Sequence, residues 1–70
     1  MSDSINIQLN GEAYELAARV SVVDLIAQLK LSHGRLAVEI NREIIPRSEH
    51  ADRLVCANDV VEIIHAIGGG

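Results

Sequence analysis

"VSVVDLIAQLKLSHG", residues 20–34, is the stretch of sequence that decides the fold. Its apolar residues recur at the spacing i, i+3, i+4, i+7, which predicts a helix with one apolar face lying on a flat surface. These residues are Val22, Leu25, Ile26 and Leu29. Ser21 has a side chain preferred at a helix N-cap, and Gly34 suits the left-handed backbone in which a chain leaves a helix. We therefore predict one main helix in this stretch, with the chain leaving it at Gly34.

The residues before this helix predict a β-hairpin. In "INIQL", residues 5–9, apolar and polar residues alternate, as in a strand with one buried face. Asn10-Gly11 follows, a pair that favours a two-residue hairpin turn because both residues tolerate positive φ. "EAYELAA", residues 12–18, then returns as a second strand with Tyr14 and Leu16 on its inner face.

The residues after the helix return to period two. Residues 36–40 alternate as a strand, Asn41-Arg42 indicates a turn, and Pro46 restricts "EIIPR", residues 43–47, to a sheet edge. "SEHAD", residues 48–52, predicts a single helical turn capped by Ser48. Asn58-Asp59 predicts a last turn before a strand from Val60 to about Ala66.

This order of elements predicts an α+β fold of the β-grasp, or ubiquitin-like, type. A four- to five-stranded mixed sheet would have one main helix packed across it, with the final strand in the middle. A split β-α-β or ferredoxin-like arrangement also fits the periodicity, but it requires a second full helix, which "SEHAD" is too short to supply. We assign residues 1–66 to the β-grasp domain and residues 67–70 to a flexible C-terminal glycine tail.

Length, composition and charge restrict the function. In a chain of 70 residues a single core supplies only about 3–5 kcal/mol of net stability, which disfavours a self-sufficient enzyme. The net charge of −4 and the six scattered basic residues argue against nucleic acid or a membrane as partner and suit docking on a basic surface. We expect a cytoplasmic protein, because Cys56 is the only cysteine and the sequence has no signal peptide and no apolar run of about 20 residues.

The usual reactive groups do not form a recognisable site. His33, His50 and His65 share no metal-ligand spacing with one another or with Cys56, so we expect surface or strand-end histidines and no metal. Cys56 is better explained as a small apolar residue beside a turn than as a nucleophile. We therefore predict no catalytic residues and no cofactor.

The glycine tail carries the strongest functional signal. Gly68, Gly69 and Gly70 follow an apolar strand, and a backbone without side chains can thread a channel too narrow for a Cβ. Residues 66–70 would reach roughly 15 Å, enough to place a terminal carboxylate in another protein's active site. A free carboxylate is a poor electrophile, so ATP would have to convert it to an acyl-adenylate. The simpler alternative is an end without function.

Two side chains of the strand that leads into this tail indicate where a partner would dock. If Val61 and Ile63 face the helix, then Val60 and Ile64 face outward by the two-residue alternation of a strand. They would form an apolar docking patch unless a loop covers them.

"LAVEINREIIPRSEHADRLV", residues 36–55, and "ANDVVEIIHAIGGG", residues 57–70, resemble the sulfur carriers of thiamin biosynthesis. Two departures from that family are Asn58, where glycine is frequent, and His50, where an aromatic residue is common. The resemblance implies that Gly70 is adenylated and then converted to a thiocarboxylate that donates sulfur to thiazole formation. Gly69 and Gly68 would thread the active sites of the partners.

The same resemblance implies three partners: an E1-like adenylyltransferase, a thiazole synthase and a sulfur-donating enzyme. The protein would be a cosubstrate and not an enzyme. Two alternatives stay open at this point. A carrier for another client, such as molybdopterin synthesis, would share the fold and tail, and a β-grasp interaction module would share the fold alone.

Overall fold

A computed structural model describes residues 4–31 and 36–65 of the chain. The order of elements in this part is a hairpin, a short strand, a helix, two strands, a 3₁₀ turn and two further strands. The bounds are β1 Ile5–Leu9, β2 Glu12–Leu16, β3 Val20–Ser21, α1 Val22–Gln28, β4 Leu36–Ile40, β5 Glu43–Ile45, the 3₁₀ turn Arg47–Glu49, β6 Leu54–Val55 and β7 Val60–His65.

The main sheet has the strand order β2-β1-β7-β4-β5, with the last strand of the chain in the middle. β7 runs parallel to β1 and antiparallel to β4, so the sheet is mixed. This arrangement confirms the predicted β-grasp fold. β3 and β6 form a separate two-stranded sheet that the sequence analysis did not predict, because two-residue strands are too short to show a periodicity.

Both predicted two-residue turns of the main sheet are present. Asn10 and Gly11 have φ values of 50° and 85°, and Asn41 and Arg42 have φ values of 53° and 69°. Positive φ at both central residues is the mark of a type I′ turn, whose twist matches that of the strands it joins. The turns therefore fix the β1–β2 and β4–β5 registers.

The helix begins as predicted. The Ser21 hydroxyl accepts a hydrogen bond of 3.1 Å from the Asp24 backbone N–H, as expected of an N-cap. Val22, Leu25 and Ile26 are buried and face the sheet. The apolar stripe therefore lies against the core.

The helix ends earlier than predicted, and the expected exit at Gly34 is wrong. The left-handed residue is Lys30, with φ 60°. Lys30 donates its backbone N–H to the Ala27 carbonyl and Leu31 donates to the Ile26 carbonyl, which is the Schellman pattern. Because a helix turns by 100° per residue, a continuing helix would place Leu31 on the side away from the apolar stripe. The early exit instead packs Leu31 against the core. Gly34 itself lies outside the described residues.

The core lies between α1 and the inner face of the main sheet. Its buried apolar residues come from strands and helix alike: Ile7, Leu16, Val22, Leu25, Ile26, Val38, Ile40, Ile45, Val55, Val61 and Ile63.

Two local expectations near residue 48 are corrected by the structure. The 3₁₀ turn begins after Pro46 without a side-chain cap, so Ser48 lies inside the turn and does not cap it. His50 is only 6% exposed and therefore is not a surface histidine. Its ring nitrogen Nε2 lies 3.0 Å from the Ile45 carbonyl oxygen and donates to it, which gives the buried ring a partner.

Candidate functional site

The tail leaves the fold from β7, the central strand of the sheet. β7 is hydrogen-bonded to a strand on each side, and its last residue, His65, pairs with Leu36 of β4. Gly68, Gly69 and Gly70 lie outside the described residues. The strand that precedes them is therefore held by a neighbouring strand on both sides.

On the β1 side, the hairpin residue Asn10 extends the support of β7. The paired residues of β1 and β7 end at Leu9 and Val61. Beyond that point the Asn10 backbone N–H donates to the Val61 carbonyl at 2.9 Å, and Asn10 Oδ1 accepts from the Ile63 N–H at 2.9 Å. One turn residue thus replaces a missing strand partner along β7.

At the other end of β7, Asp59 and Asn41 hold the entry turn. Asp59 Oδ1 accepts from Asn41 Nδ2 at 3.0 Å, and Asp59 Oδ2 accepts from the Cys56 backbone N–H at 2.8 Å. Asn41 Oδ1 accepts from the Val60 N–H at 2.9 Å. These bonds tie the turn before β7 to the turn between β4 and β5, so both ends of the strand are fixed.

The outward face of β7 is exposed in the alternating pattern expected from the sequence. Val61 and Ile63 are buried, whereas Val60 is 40% exposed and Ile64 is 54% exposed. A shallow depression adjoins Val60, lined further by Asn6, Ile7, Gln8 and Asn58. The two residues of the candidate docking patch therefore lie on the same open face of the sheet.

A third exposed apolar residue on this face was missed by the sequence analysis. Ile44 of β5 is 71% exposed, and it pairs with Glu39 of β4. The signal was present in the sequence, because Ile44 and Ile45 are adjacent in a strand and only one of them can face the core. Which one faced inward became clear only from the β4–β5 register.

No constellation for other chemistry is present in residues 4–31 and 36–65. This part of the chain holds no group of three or more His, Cys, Asp or Glu residues arranged to bind a metal ion. Cys56 is exposed beside the turn at the amino end of β7. Because the six residues of β7 span roughly 20 Å, this thiol lies far from the end at which the tail leaves.

No helix within the described ranges has both the length and the apolar character needed to cross a membrane.

Comparison with protein families gives a match over nearly the whole chain. The ThiS family matches residues 7–70, and this match includes the three terminal glycines. The sulfur carrier protein ThiS of Bacillus subtilis is 35% identical over 65 residues, which are 91% of this chain and 98% of that protein. The sulfur carrier protein ThiS of Escherichia coli is 32% identical over 66 residues, which are 94% of this chain and 100% of that protein.

A second kind of relative is much longer. A thiazole synthase of Paramagnetospirillum magneticum is 36% identical over 66 residues, which are 94% of this chain but only 20% of that protein. The chain thus spans about a fifth of the length of this relative.

Solved structures agree with the family match. The crystal structure of the thiamine biosynthesis protein ThiS from Geobacter metallireducens superimposes with a TM-score of 0.81 at 28% identity, covering 94% of this chain and 100% of that one. The likeness therefore extends over the helix and the main sheet.

Proposed function

This chain belongs to the ThiS family, the sulfur carriers of thiamin biosynthesis, and from that premise we propose that its Gly70 carboxylate is the group that carries sulfur. The observation that carries this proposal is that β7 is held firmly in the sheet. Its central position and its bonds to Asn10 give the tail a fixed starting point. Residues 67–70 form the arm in this proposal, and residues 1–66 form the body that presents it.

The chemistry requires two displacements, the first at the α-phosphate of ATP and the second at the terminal carbonyl. The Gly70 carboxylate attacks the α-phosphate of ATP, pyrophosphate leaves, and an acyl-adenylate forms. Sulfide from the sulfur donor then attacks the acyl carbon and AMP leaves, so that the sulfur remains on the carbonyl as a thiocarboxylate. Gly69 and Gly68 contribute by passing through a channel that admits no Cβ.

The described part of the chain supplies no group for these steps, so the partners must supply them. We assign adenylation to an E1-like adenylyltransferase, the sulfur to a sulfur-donating enzyme and the final transfer to a thiazole synthase. The thiazole synthase relatives support the last assignment, because about a fifth of each resembles this chain. The protein is a cosubstrate in this scheme, and we place its work in the cytoplasm, where a lone cysteine stays reduced.

Each partner needs a surface on which to hold the carrier while the tail reacts. Val60 and Ile64 are the candidates, because they are exposed β-branched side chains on the strand that leads into the tail. Docking there would set the distance from the body of the carrier to the reacting carboxylate.

Intact mass spectrometry tests the proposal. The protein is incubated with ATP, its adenylyltransferase and a sulfur donor, and a control reaction omits ATP. We expect a mass gain equal to the exchange of one oxygen for sulfur, located on Gly70 by fragmentation and absent from the control. An unchanged mass with every E1-like enzyme of the source organism would favour a β-grasp interaction module instead.

A further inference from the structure

The outer face of the main sheet has a pair of carboxylates at its centre. Glu39 of β4 and Glu62 of β7 are directly opposite each other in the antiparallel register. Their Cβ atoms are therefore about 4.5–5.5 Å apart, and both side chains project from the same face. β4 and β7 are inner strands of the sheet, so neither carboxylate lies on an edge strand.

Exposed apolar side chains flank the pair along β7 and on the β5 side. Val60 and Ile64 lie two residues before and after Glu62 on the same face of β7. Ile44 is opposite Glu39 on its other side, and Ala37 is opposite Ile64. The pair thus has apolar neighbours along β7 and on the β5 side, whereas the exposed residues of β1, Asn6 and Gln8, are polar.

No cation of the described residues neutralises these charges. The ion pair of that part of the chain joins Arg53 to Glu43, at 3.5 Å, and involves neither Glu39 nor Glu62. Like charges directly opposite each other destabilise a sheet. The pair is therefore unfavourable in the free protein and has no evident role in folding.

We propose that this face docks a protein surface that carries an arginine or lysine among apolar side chains, and that the cation contacts both Glu39 and Glu62. The inference rests on the proposed function and identifies that surface as part of the enzyme that activates the tail. Because Glu62 lies between Val60 and Ile64, no partner can cover both apolar residues without also removing the Glu62 carboxylate from water.

Charge complementarity follows from this arrangement. Burying an unpaired carboxylate costs several kcal/mol, which is more than a small apolar patch returns. A purely apolar partner surface would therefore bind poorly, whereas a cation between the two carboxylates offsets their desolvation and their mutual repulsion. A guanidinium fits well, because its fork of donors can reach two carboxylates at once.

Three variants separate this role from a structural one. Glu62→Gln and Glu39→Gln remove one charge each from the centre of the face and keep the shape of the side chain. Glu15→Gln is the matched control. Glu15 is an exposed carboxylate on the edge strand β2, and its substitution removes the same charge. Equilibrium binding to the adenylyltransferase is measured without ATP, ATP–pyrophosphate exchange is measured with it, and each variant is melted.

We expect Glu62→Gln and Glu39→Gln to raise the Kd and the KM of the carrier by about tenfold or more, with kcat unchanged. Their melting temperatures should equal or exceed that of the parent, because a like-charge contact is lost. Glu15→Gln should match the parent in all three measurements. Raising the salt concentration should weaken the binding of the parent more than that of either central variant.

Two results would overturn the inference. If both central variants bind as tightly as the parent, the face does not receive a cation. The carrier function would still be supported if the parent protein gives ATP–pyrophosphate exchange. If the weakening is the same for Glu15→Gln, net charge alone is responsible. A parent that binds the enzyme but supports no exchange would instead contradict the proposed function, and a parent that does not bind would contradict both.

Discussion

Asn10 Oδ1 accepts a hydrogen bond of 2.9 Å from the backbone N–H of Ile63, a residue 53 positions later in the sequence. Asn10 also occupies the first position of the β1–β2 turn, with φ 50°. A single side chain thus joins the first turn of the fold to the strand that leads into the tail. The hairpin therefore has a part in positioning the tail as well as in forming the sheet.

Asn10→Gly tests the contribution of this bond. Glycine keeps the positive φ that the turn requires but removes the oxygen that accepts the Ile63 N–H. We expect the free energy of unfolding to fall by about 1–3 kcal/mol, because a partly buried donor loses its acceptor. A loss of 1 kcal/mol should lower the melting temperature by about 4–8 °C in a domain of this size.

Asn10→Asp serves as the control for this variant, because it tolerates positive φ and retains an oxygen acceptor. It should melt close to the parent. In Asn10→Gly alone, the amide proton of Ile63 should exchange faster with solvent. If the melting temperature and the hydrogen exchange of the Ile63 amide are both unchanged in Asn10→Gly, water replaces the side chain without loss of stability.

Asp59→Ala tests the turn that begins β7. The Asp59 carboxylate accepts from Asn41 Nδ2 and from the Cys56 N–H, and alanine removes both bonds. We expect denaturant unfolding to show a loss of about 1–2 kcal/mol. Asp52→Ala removes an exposed carboxylate in the loop after the 3₁₀ turn. Its free energy of unfolding should stay within about 0.5 kcal/mol of the parent value. Equal losses in the two variants would contradict a specific role for Asp59.

Ile64→Asp and Ile63→Asp compare the two faces of β7. Ile64 is 54% exposed and Ile63 is 7% exposed, although they are neighbours in the sequence. Ile63→Asp should unfold the domain, since the charge would enter a core worth only about 3–5 kcal/mol. The free energy of unfolding of Ile64→Asp should stay within about 1 kcal/mol of the parent value. The variant should nevertheless bind the adenylyltransferase more weakly. If Ile64→Asp binds as well as the parent, the docking patch lies elsewhere.

The sequence was sufficient for the features that depend on periodicity and turn chemistry. The helix stripe, the Ser21 cap and the Asn10-Gly11 turn were all predicted, because each is a local pattern with a local physical cause. The central position of β7 followed from the order of the elements.

Features that depend on tertiary contacts could not be predicted in the same way. The early helix exit at Lys30 depends on the burial of Leu31 against other elements. The burial of His50 depends on the Ile45 carbonyl accepting its ring N–H. The pairing of Glu39 with Glu62 required the β4–β7 register, which two alternating strands do not specify by themselves.

The most direct test of the carrier function is ATP–pyrophosphate exchange by the adenylyltransferase on three tail variants. Deletion of Gly70 withdraws the carboxylate by ~3.3 Å, addition of one residue after Gly70 advances it by the same length, and Gly69→Ala adds a Cβ to the arm. All three should keep the stability of the parent within about 0.5 kcal/mol, because the change lies beyond the core. We predict that exchange falls by about 10²-fold or more in each, since the reacting carboxylate is displaced or obstructed. Exchange at the parent rate in all three variants, beside unchanged thermal melts, would contradict the assignment of Gly70 as the activated group.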